Sequence, residues 1–265
     1  MNAEIKTLRN RVSEAEWRTR VELAALYRLA AIYGWDDFLY THISARVPGP
    51  ERHFLLNPLG LWFEEVTASN LVKVDLDGNI IDGHLLGEGW GINHAGYVIH
   101  SAIHGAREDA HFIAHFHTDD GVAASSQKHG LLPLNQRSLA VIPDLAYHDY
   151  EGVALNLDER ERLVADLGQH NQLLLRSHGT LSIGRNVSEV WSRIYTLEKA
   201  ASAQVRALGA GLDGVLIAPQ AAQDEVARQL ASGFARSEAS RQRHDDLIWQ
   251  AIRRKVERVN PGFDQ

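Results

Sequence analysis

The sequence predicts one three-layer α/β domain with a mixed, partly antiparallel central sheet and a helical C-terminal tail. Three observations lead to this fold class. Segments of helical periodicity alternate with short strand-like runs, tight-turn residues separate the first strands, and no Pro/Gly/Ser-rich linker divides the chain. The 265 residues, 45% of them hydrophobic, are enough to build a substantial core. We divide the chain into residues 1–211 and a helical extension, 212–265, that packs on the same domain or on a neighbouring subunit.

The N-terminal part begins with a helix and continues with three short strands. From Val12 to Tyr33, Leu23, Leu26 and Ala30 recur at helical spacing, and Gly34 follows as an end signal. Alternating residues and the Pro-Gly-Pro, Asn-Pro-Leu-Gly and Asp-Gly-Asn turns predict strands over 40–47, 52–56 and 71–75.

Helices and strands alternate through the remainder of the chain. The same periodicities predict strands over 111–117 and 172–176. They predict helices over 95–106, 158–170 and 189–208, followed by a charged and mostly helical tail over 220–258.

The amino-acid composition limits the kinds of functional site and binding partner that we expect. The chain has no cysteine, 14 histidines, and 27 basic against 34 acidic side chains, a net charge of −7. A disulfide scaffold, a thiolate metal site and a cysteine nucleophile are therefore excluded, and any metal site must use imidazole and oxygen. Mild acidity is not typical of proteins that bind nucleic acid or anionic membranes. Without an N-terminal apolar core or a run of ~18 apolar residues, we expect a soluble, cytoplasmic protein.

Two histidines on one strand are the best candidate metal ligands. Side chains alternate between the faces of a strand, so His115 and His117 project together. At this spacing two imidazoles can reach one ion with Zn–N bonds of ~2.0–2.1 Å. The best third candidate is His178, which follows an apolar run and precedes Gly179 at a strand end. Three imidazoles with open coordination positions describe a catalytic site rather than a structural one.

Other interpretations of the histidines stay open at this point. A lone His-x-His on a strand is more often a pair of ordinary polar residues. His100 and His104 form a rival pair at i and i+4 of a helix, although their apolar neighbours favour buried, hydrogen-bonded histidines. Six more histidines in loops or charged surroundings receive no predicted function: His42, His53, His84, His129, His170 and His244.

Several segments, in order, resemble the class II aldolase/adducin head-domain family over about Val12 to Gly211. Their combination is far more specific than any one motif. The residues that carry the resemblance are Gly34-Trp35-Asp36-Asp37, His42-Ile43-Ser44-Ala45-Arg46, Asn57-Pro58-Leu59-Gly60, the segment from Asn93 to His104, His115-Phe116-His117-Thr118, Gly130-Leu131-Leu132-Pro133-Leu134, the segment from Tyr147 to Gly152, and Ser177-His178-Gly179.

The resemblance implies a class II aldolase-like fold for residues 1–211, a sheet sandwiched by helices and assembled as a homotetramer with clefts between subunits. It also implies that His115, His117 and His178 hold a divalent ion, which is Zn, Mn or Fe on donor chemistry. In the family's aldolases and epimerases, this ion binds substrate oxygens and stabilises an enediolate while a C–C bond breaks.

One departure from the family pattern limits what the resemblance implies. The family's aldolases carry a Ser-Ser-Glu-like stretch, whose hydroxyls hold phosphate and whose Glu exchanges a proton. By the family's spacing the Glu position falls on Gly96 here, and no serine pair precedes it in Gly89-Trp90-Gly91-Ile92-Asn93. Glycine cannot exchange a proton. The sequence therefore resembles the adducin-like bacterial branch, and a sugar phosphate is not its expected substrate.

Three functions follow from the resemblance. The first is a metal-dependent lyase, a decarboxylase or aldolase-like enzyme, that cleaves a C–C bond of a small, oxygen-chelating carboxylate substrate. The second is a non-haem iron oxygenase of an aromatic 2-oxo or hydroxy acid, since three histidines leave room for substrate and O2. The third is a non-catalytic, adducin-like binding head. In each case we expect a homo-oligomer that binds neither nucleic acid nor membrane.

Further site residues are predicted with structural alternatives beside them. Glu88, His94 and Tyr147 are the candidate catalytic groups, His94 as a replacement for the missing acid. A solvated loop residue is the simpler account of Glu88, and loop packing is the alternative for Tyr147 and its neighbours Asp149 and Tyr150. The candidate substrate-binding residues, for which turns, an N-cap or a surface ion pair are the alternatives, are Asn57, Gly60, Asn93, Gly96 and Arg137.

Overall fold

An eight-stranded mixed sheet forms the centre of the molecule. The computed structural model describes residues 8–82, 91–153, 157–232 and 237–265. Across the sheet the strand order is β4-β3-β2-β1-β5-β8-β7-β6, and only β6 and β7 pair in parallel. The strands are β1 (His42–Arg46), β2 (Phe54–Leu56), β3 (Val72–Val74), β4 (Ile80–Asp82), β5 (Phe112–Phe116), β6 (Leu145–His148), β7 (Gln172–Leu175) and β8 (Gly179–Gly184).

Helices cover both faces of the sheet, which confirms the predicted three-layer architecture. The larger core lies between the sheet and α1, α6 and α8, and two smaller cores lie on the opposite face, against α2 and α5. Within the described ranges, no helix is both long and apolar enough to cross a bilayer. The helices are α1 (Glu14–Tyr33), α2 (His94–Ala106), α3 (Asp119–Ser125), α4 (Gln136–Val141), α5 (Glu159–Leu167), α6 (Val187–Ala207), α7 (Gln220–Ala231) and α8 (Glu238–Val259).

Strand β5 separates the two cores by simple alternation. Phe112, Ala114 and Phe116 enter the larger core beside α1 and α6, whereas Ile113 packs on the α2 side. His115 therefore also faces the α2 side. In the antiparallel register of β1 with β5, His42 lies directly opposite His115, so both imidazoles occupy the same face at the same end of the sheet.

Helix ends follow the capping signals in the sequence. The side chains of Ser13, Asn93 and Asn186 accept hydrogen bonds from backbone N–H groups in the first turns of α1, α2 and α6. Gly34 ends α1 in the left-handed conformation, with φ 66°.

The sequence did not predict three of the strands: β4, β6 and β8. They contain three to six residues, and β8 begins immediately after the predicted metal turn with the small or polar residues Gly179 and Thr180. Strand β8 pairs with β5 on one side and β7 on the other. Its conformation therefore depends on ladder hydrogen bonds to β5 and β7 rather than on its own periodicity.

The C-terminal extension packs against this same domain. Ile252 and Val256 of α8, together with Phe263, are buried in the larger core. The Arg28 guanidinium of α1 donates hydrogen bonds to the side chain of Asn260 and to the carbonyl oxygen of Pro261. The extension is thus tied to the first helix, while the domain boundary at residue 211 stays a prediction.

Candidate metal centre

Three histidines from two distant segments meet at one wall of a cleft of about 510 Å³. Each of His115, His117 and His178 offers a ligand atom, and these atoms lie within 4.8 Å of one another. The ring centroids are 4.7 to 4.8 Å apart in each pair. The structure therefore brings together the three residues that the sequence singled out.

The turn between β7 and β8 aims His178 at the other two histidines. Ser177, immediately before it, has a φ of 54°, which few non-glycine residues adopt. On the other side, a Cβ on Gly179 would lie 2.3 Å from the carbonyl oxygen of Phe116. A glycine at position 179 is therefore required for the start of β8 to approach β5 closely enough for the three rings to meet.

Hydrogen bonds on the far side of two rings orient their Nε2 atoms. The Nδ1 of His115 lies 2.8 Å from the carbonyl oxygen of Thr180, and that of His117 lies 3.1 Å from Oδ2 of Asp37. Both oxygens accept, so both Nδ1 atoms donate, and in the neutral imidazoles that a metal would bind the lone pairs then lie on Nε2. Such a bond behind a ligating imidazole is a common feature of metal sites.

The two lone pairs point at one another. The Nε2 atoms of His115 and His117 are 2.9 Å apart. Two facing lone pairs repel unless a proton or a cation lies between them. Two nitrogens on a tetrahedral zinc, each bonded at ~2.0–2.1 Å, would be roughly 3.3 Å apart. The donor set and its spacing thus fit a divalent ion after a small outward movement.

Burial favours the neutral form of His115 and His178. It lowers the pKa of His115 well below its usual range, helped by the neighbouring His117, His178 and His42. Burial also lowers the pKa of His178 to about 4, with contributions from His117 and His148. Metal ligation needs neutral imidazole, so the ion would have to displace few protons at neutral pH.

The remaining walls of the cleft are aromatic, apolar and weakly charged. Asp37 is the one carboxylate among the described lining residues, which include no Lys, Arg, Ser or Thr. A bound divalent ion would therefore be the main positive charge of the described cleft. Besides the three ligand histidines and Asp37, the lining comprises Tyr40, His42, Asn93, His94, Ala95, Ile99, Tyr150, Gly152 and Val153.

Two of the other predicted site residues line this cleft. His94, the first residue of α2, is exposed on its wall. Asn93 also lines the cleft, and it caps α2 by accepting from the N–H groups of Ala95 at 3.1 Å and Gly96 at 3.4 Å. The capping role and the position in the cleft therefore coexist. Glu88 lies outside the described residues.

Tyr147 and Arg137 lie outside the lining. Tyr147 packs against the larger core, on the opposite face of the sheet from the three histidines. Its hydroxyl accepts a hydrogen bond from Leu131 N–H at 3.1 Å, and the Arg176 guanidinium stacks 4.4 Å from its ring centre. Tyr147 thus pins the loop around residue 131, and the predicted catalytic role gains no support. Arg137 is exposed in the first turn of α4.

Asn57 and Gly60 also lie outside the lining, because the turn after β2 holds them elsewhere. The buried side-chain oxygen of Asn57 lies 2.8 Å from the hydroxyl oxygen of Tyr27. That hydroxyl also accepts from the N–H groups of Ile43 and Asn57. Gly60 has a φ of 105°, a value that favours glycine. These two residues tie β2 to α1 and β1 and shape a turn.

Sequence reasoning missed His42, to which it assigned no function. His42 is buried, lines the cleft, and fills the space beside Gly96, where a Cβ would lie 2.2 Å from its Cδ2 atom. Gly96 does not itself line the cleft. The signal was present in the sequence, because His42 and Ser44 alternate with Ile43 and Ala45 as the histidines of β5 alternate with apolar residues.

Comparison with known proteins identifies the family and the fold of the chain. The family model for the class II aldolase and adducin N-terminal domain matches residues 21–205. A crystal structure of an aldolase II superfamily protein from Pseudomonas syringae has 48% identity and a TM-score of 0.88, and the match covers 97% of this chain and 99% of that one.

Two named proteins represent the two sides of the family. Alpha-adducin from Mus musculus is 44% identical over 190 residues, which cover 71% of this chain but 25% of that protein. L-fuculose 1-phosphate aldolase from Glaciozyma antarctica PI12 is 27% identical with a TM-score of 0.76, covering 99% of this chain and 96% of the aldolase. These matches confirm the class II aldolase-like fold. The chain belongs to the class II aldolase and adducin N-terminal domain family.

Proposed function

We propose that the protein is a divalent-metal-dependent lyase that cleaves a C–C bond of a small carboxylate substrate. The observation that carries this proposal is the convergence of three buried or half-buried imidazoles, two with facing Nε2 atoms 2.9 Å apart, on an open cleft. Membership of a family that contains an L-fuculose 1-phosphate aldolase supports lyase chemistry.

Each part of the cleft has a distinct task in this proposal. His115, His117 and His178 hold the ion, and Asp37 and the Thr180 carbonyl keep two of these rings in the ligating tautomer. When bound, the ion supplies Lewis-acid stabilisation of the negative charge that develops on a substrate oxygen. The buried Ile99 and the half-buried Ala95 form an apolar part of the wall, and the exposed His94 is the candidate proton donor.

The lining favours a carboxylate that chelates the ion over a sugar phosphate. A phosphate is best held by Lys or Arg with Ser or Thr hydroxyls, and the described lining contains none of these four residue types. A carboxylate beside a hydroxyl or keto oxygen can instead bind directly to the metal. The cleft volume of about 510 Å³ is suitable for a small molecule.

We further propose that the active form is a cytoplasmic homotetramer loaded with Zn, Mn or Fe. Phe38 and Trp62 support an oligomer, because both are exposed and their ring centroids lie 5.1 Å apart. Phe38 is also 5.9 Å from Tyr40, which lines the cleft. An exposed aromatic cluster of this kind is typical of an interaction surface.

Metal analysis tests the first part of the proposal. Wild type, His115→Ala, His178→Ala and the control His244→Ala, which removes an exposed histidine of α8, are each loaded with Zn, Mn or Fe(II) and then dialysed. We expect about one ion per chain in wild type and the control, and loss of the ion in the other two variants. Wild type without stoichiometric metal would contradict the proposal.

Turnover tests the second part. Metal-loaded protein is incubated with a panel of 2-hydroxy and 2-oxo carboxylates, and CO2 or aldehyde release is measured. Metal-dependent release that His178→Ala abolishes is the expected result. Oxygen consumption with Fe(II) and an aromatic 2-oxo acid would replace the lyase by an oxygenase. No turnover with any of the three metals, together with tight binding to a protein partner, would replace it by a binding head.

A further inference from the structure

A second set of histidines leads from the cleft into the interior between β1 and α2. Nδ1 of His42 lies 2.8 Å from Nε2 of His100, whose Nδ1 lies 2.5 Å from the Ser44 hydroxyl. That hydroxyl lies 2.8 Å from Nε2 of His104, and Nδ1 of His104 lies 3.0 Å from the Ala110 carbonyl oxygen. We name His42, Ser44, His100 and His104 the buried histidine array. Their exposed fractions are 3%, 0%, 0% and 1%.

The last bond of the array determines the direction of all the others. A carbonyl oxygen only accepts, so Nδ1 of His104 must donate to Ala110. Burial, and then the nearby Arg46, lowers the pKa of His104 to about 3, so its Nε2 is an unprotonated acceptor for the Ser44 hydroxyl. Ser44 then accepts from Nδ1 of His100, and Nε2 of His100 accepts from Nδ1 of His42.

The lone pair of His42 is consequently left on Nε2, at the cleft. His42 lines the cleft opposite His115 on β1, with ring centroids 5.3 Å apart. Among the described residues, its Nε2 has no hydrogen-bond partner, and the atom is not among the buried polar atoms that lack one. It therefore faces the open space of the cleft as an acceptor.

Gly96 makes room for this arrangement. A Cβ at position 96 would lie 2.4 Å from Nε2 and 2.2 Å from Cδ2 of His42. The imidazole edge thus occupies the space that a side chain at position 96 would need. A single neutral acceptor, fixed in its tautomer, stands beside the three candidate ligands.

We propose that Nε2 of His42 accepts a hydrogen bond from the hydroxyl group of the substrate and so selects 2-hydroxy carboxylates over carboxylates that lack the hydroxyl. The inference rests on the proposed function, because the ion would hold the carboxylate next to His42. A site with a desolvated acceptor discriminates against a ligand that lacks the matching donor. No proton is transferred in this role, so His42 acts by binding and orienting the substrate.

The tautomer prediction is tested on metal-free protein by 15N NMR of the histidine rings. We expect protonated Nδ1 and unprotonated Nε2 in His42, His100 and His104, which is the less common neutral tautomer of free histidine. Ser44→Ala removes the central link, whereas the control Ser101→Ala removes another fully buried serine, whose hydroxyl donates to the Val98 carbonyl outside the array. A protonated Nε2 on His42 in wild type would overturn the inference.

The selectivity is tested by calorimetry on zinc-loaded protein, with lactate and propionate as the two probes. The ratio of their affinities is compared between variants, because chelation by the lactate hydroxyl favours lactate in all of them. We expect the ratio to fall roughly 3- to 10-fold in His42→Leu. In Ser44→Ala it should fall by a smaller factor, and in Ser101→Ala it should stay unchanged.

Each possible result has a distinct meaning. Retained zinc with the same ratio in wild type, His42→Leu and Ser44→Ala overturns the selectivity and leaves the proposed function standing. A wild-type protein that takes up no zinc, Mn or Fe overturns the proposed function and the selectivity with it. If His42→Leu alone loses zinc, the two serine variants provide the test. A lower affinity ratio in Ser44→Ala than in Ser101→Ala supports the selectivity, and equal ratios overturn it.

Discussion

Two groups of histidines on the same face of the sheet use their ring nitrogens in different ways. In the candidate metal centre, Nδ1 of His115 and Nδ1 of His117 each donate a hydrogen bond to an oxygen atom, and the two Nε2 atoms face a common point. In the buried histidine array, both ring nitrogens of His100 and of His104 form hydrogen bonds inside the protein. His100 and His104 therefore have no lone pair left for an ion, unlike His115 and His117.

The difference shows that an imidazole's function depends on what its second nitrogen contacts. A carbonyl or carboxylate oxygen behind the ring produces a ligand, because the other nitrogen must then be unprotonated. A further imidazole or hydroxyl in front of that nitrogen uses up the lone pair. His42 lies between the two groups, since its Nδ1 belongs to the array and its Nε2 faces the cleft.

Gly96→Ala should displace His42, which lies between the two groups, and should have the largest effect on the free energy of unfolding. The new Cβ would overlap the His42 ring at 2.2 Å. Overpacking costs about 1–3 kcal/mol, of which better helix propensity offsets at most about 1 kcal/mol. Denaturant unfolding should therefore show a loss of about 2 kcal/mol. Gly209→Ala, with nothing within 4 Å of the added Cβ, is the control, and equal stability of the two variants would contradict the close approach.

Asp37→Asn should lower the metal affinity of the candidate metal centre and leave the hydrogen bonds of the buried histidine array intact. The Asp37 carboxylate accepts from Nδ1 of His117, and loss of such a partner typically reduces metal affinity 10- to 100-fold. We expect roughly a tenfold increase in the dissociation constant for zinc, about 1.4 kcal/mol, measured by competition with a chelator. Asp36→Asn changes the neighbouring carboxylate and should leave the affinity unchanged. Identical affinities in the two variants would argue against Asp37 as the orienting partner.

The smallest expected effect concerns the buried histidine array and is seen in the pH dependence of the free energy of unfolding. Burial lowers the pKa of His104 to about 3 in the folded protein, against about 6.5 in the unfolded chain. Between these values the unfolded chain binds a proton that the native protein does not, so stability falls as pH decreases from about 6.5. In metal-free protein, wild type should lose roughly 1 kcal/mol more per pH unit below 6 than His104→Gln.

The control for this pH experiment is His244→Gln, which removes an exposed histidine of α8 that lies outside the array. Its curve of unfolding free energy against pH should run parallel to that of wild type. Parallel curves for His104→Gln and wild type would show that His104 accepts a proton in the folded protein without penalty.

Local patterns predicted the elements that carry their own signals. The helices that became α1, α2, α5 and α6 were predicted to within a few residues, because apolar periodicity and caps lie within each segment. The short strands β6 and β8 were missed, since ladder hydrogen bonds to other strands stabilise them, those of β6 to β7 and those of β8 to β5 and β7. The tail was correctly predicted as mostly helical, but its burial against α1 depends on contacts between the two ends of the chain.

The candidate site was predictable to the extent that it depends on spacing. His115 and His117 follow from strand alternation, and His178 from its place beside Gly179 at the end of an apolar run. The proposed roles of His94 and Asn93 stay predictions with a suitable location. Tyr147, Asn57 and Gly60 were assigned to the cleft by resemblance, and Arg137 because a guanidinium can pair with a carboxylate. The structure places all four outside the lining, because packing, turns and surface exposure determine their positions.

By itself the sequence determined that any metal site here uses imidazole and oxygen, because it contains no cysteine. It also determined that two histidines of one strand share a face, since alternation is a local property of the backbone. Only the tertiary structure decided which imidazoles keep a free lone pair. The acceptors that settle this are the Thr180 carbonyl, the Asp37 carboxylate and the Ala110 carbonyl. They reach the rings through folding, and no spacing of histidines along a chain specifies them.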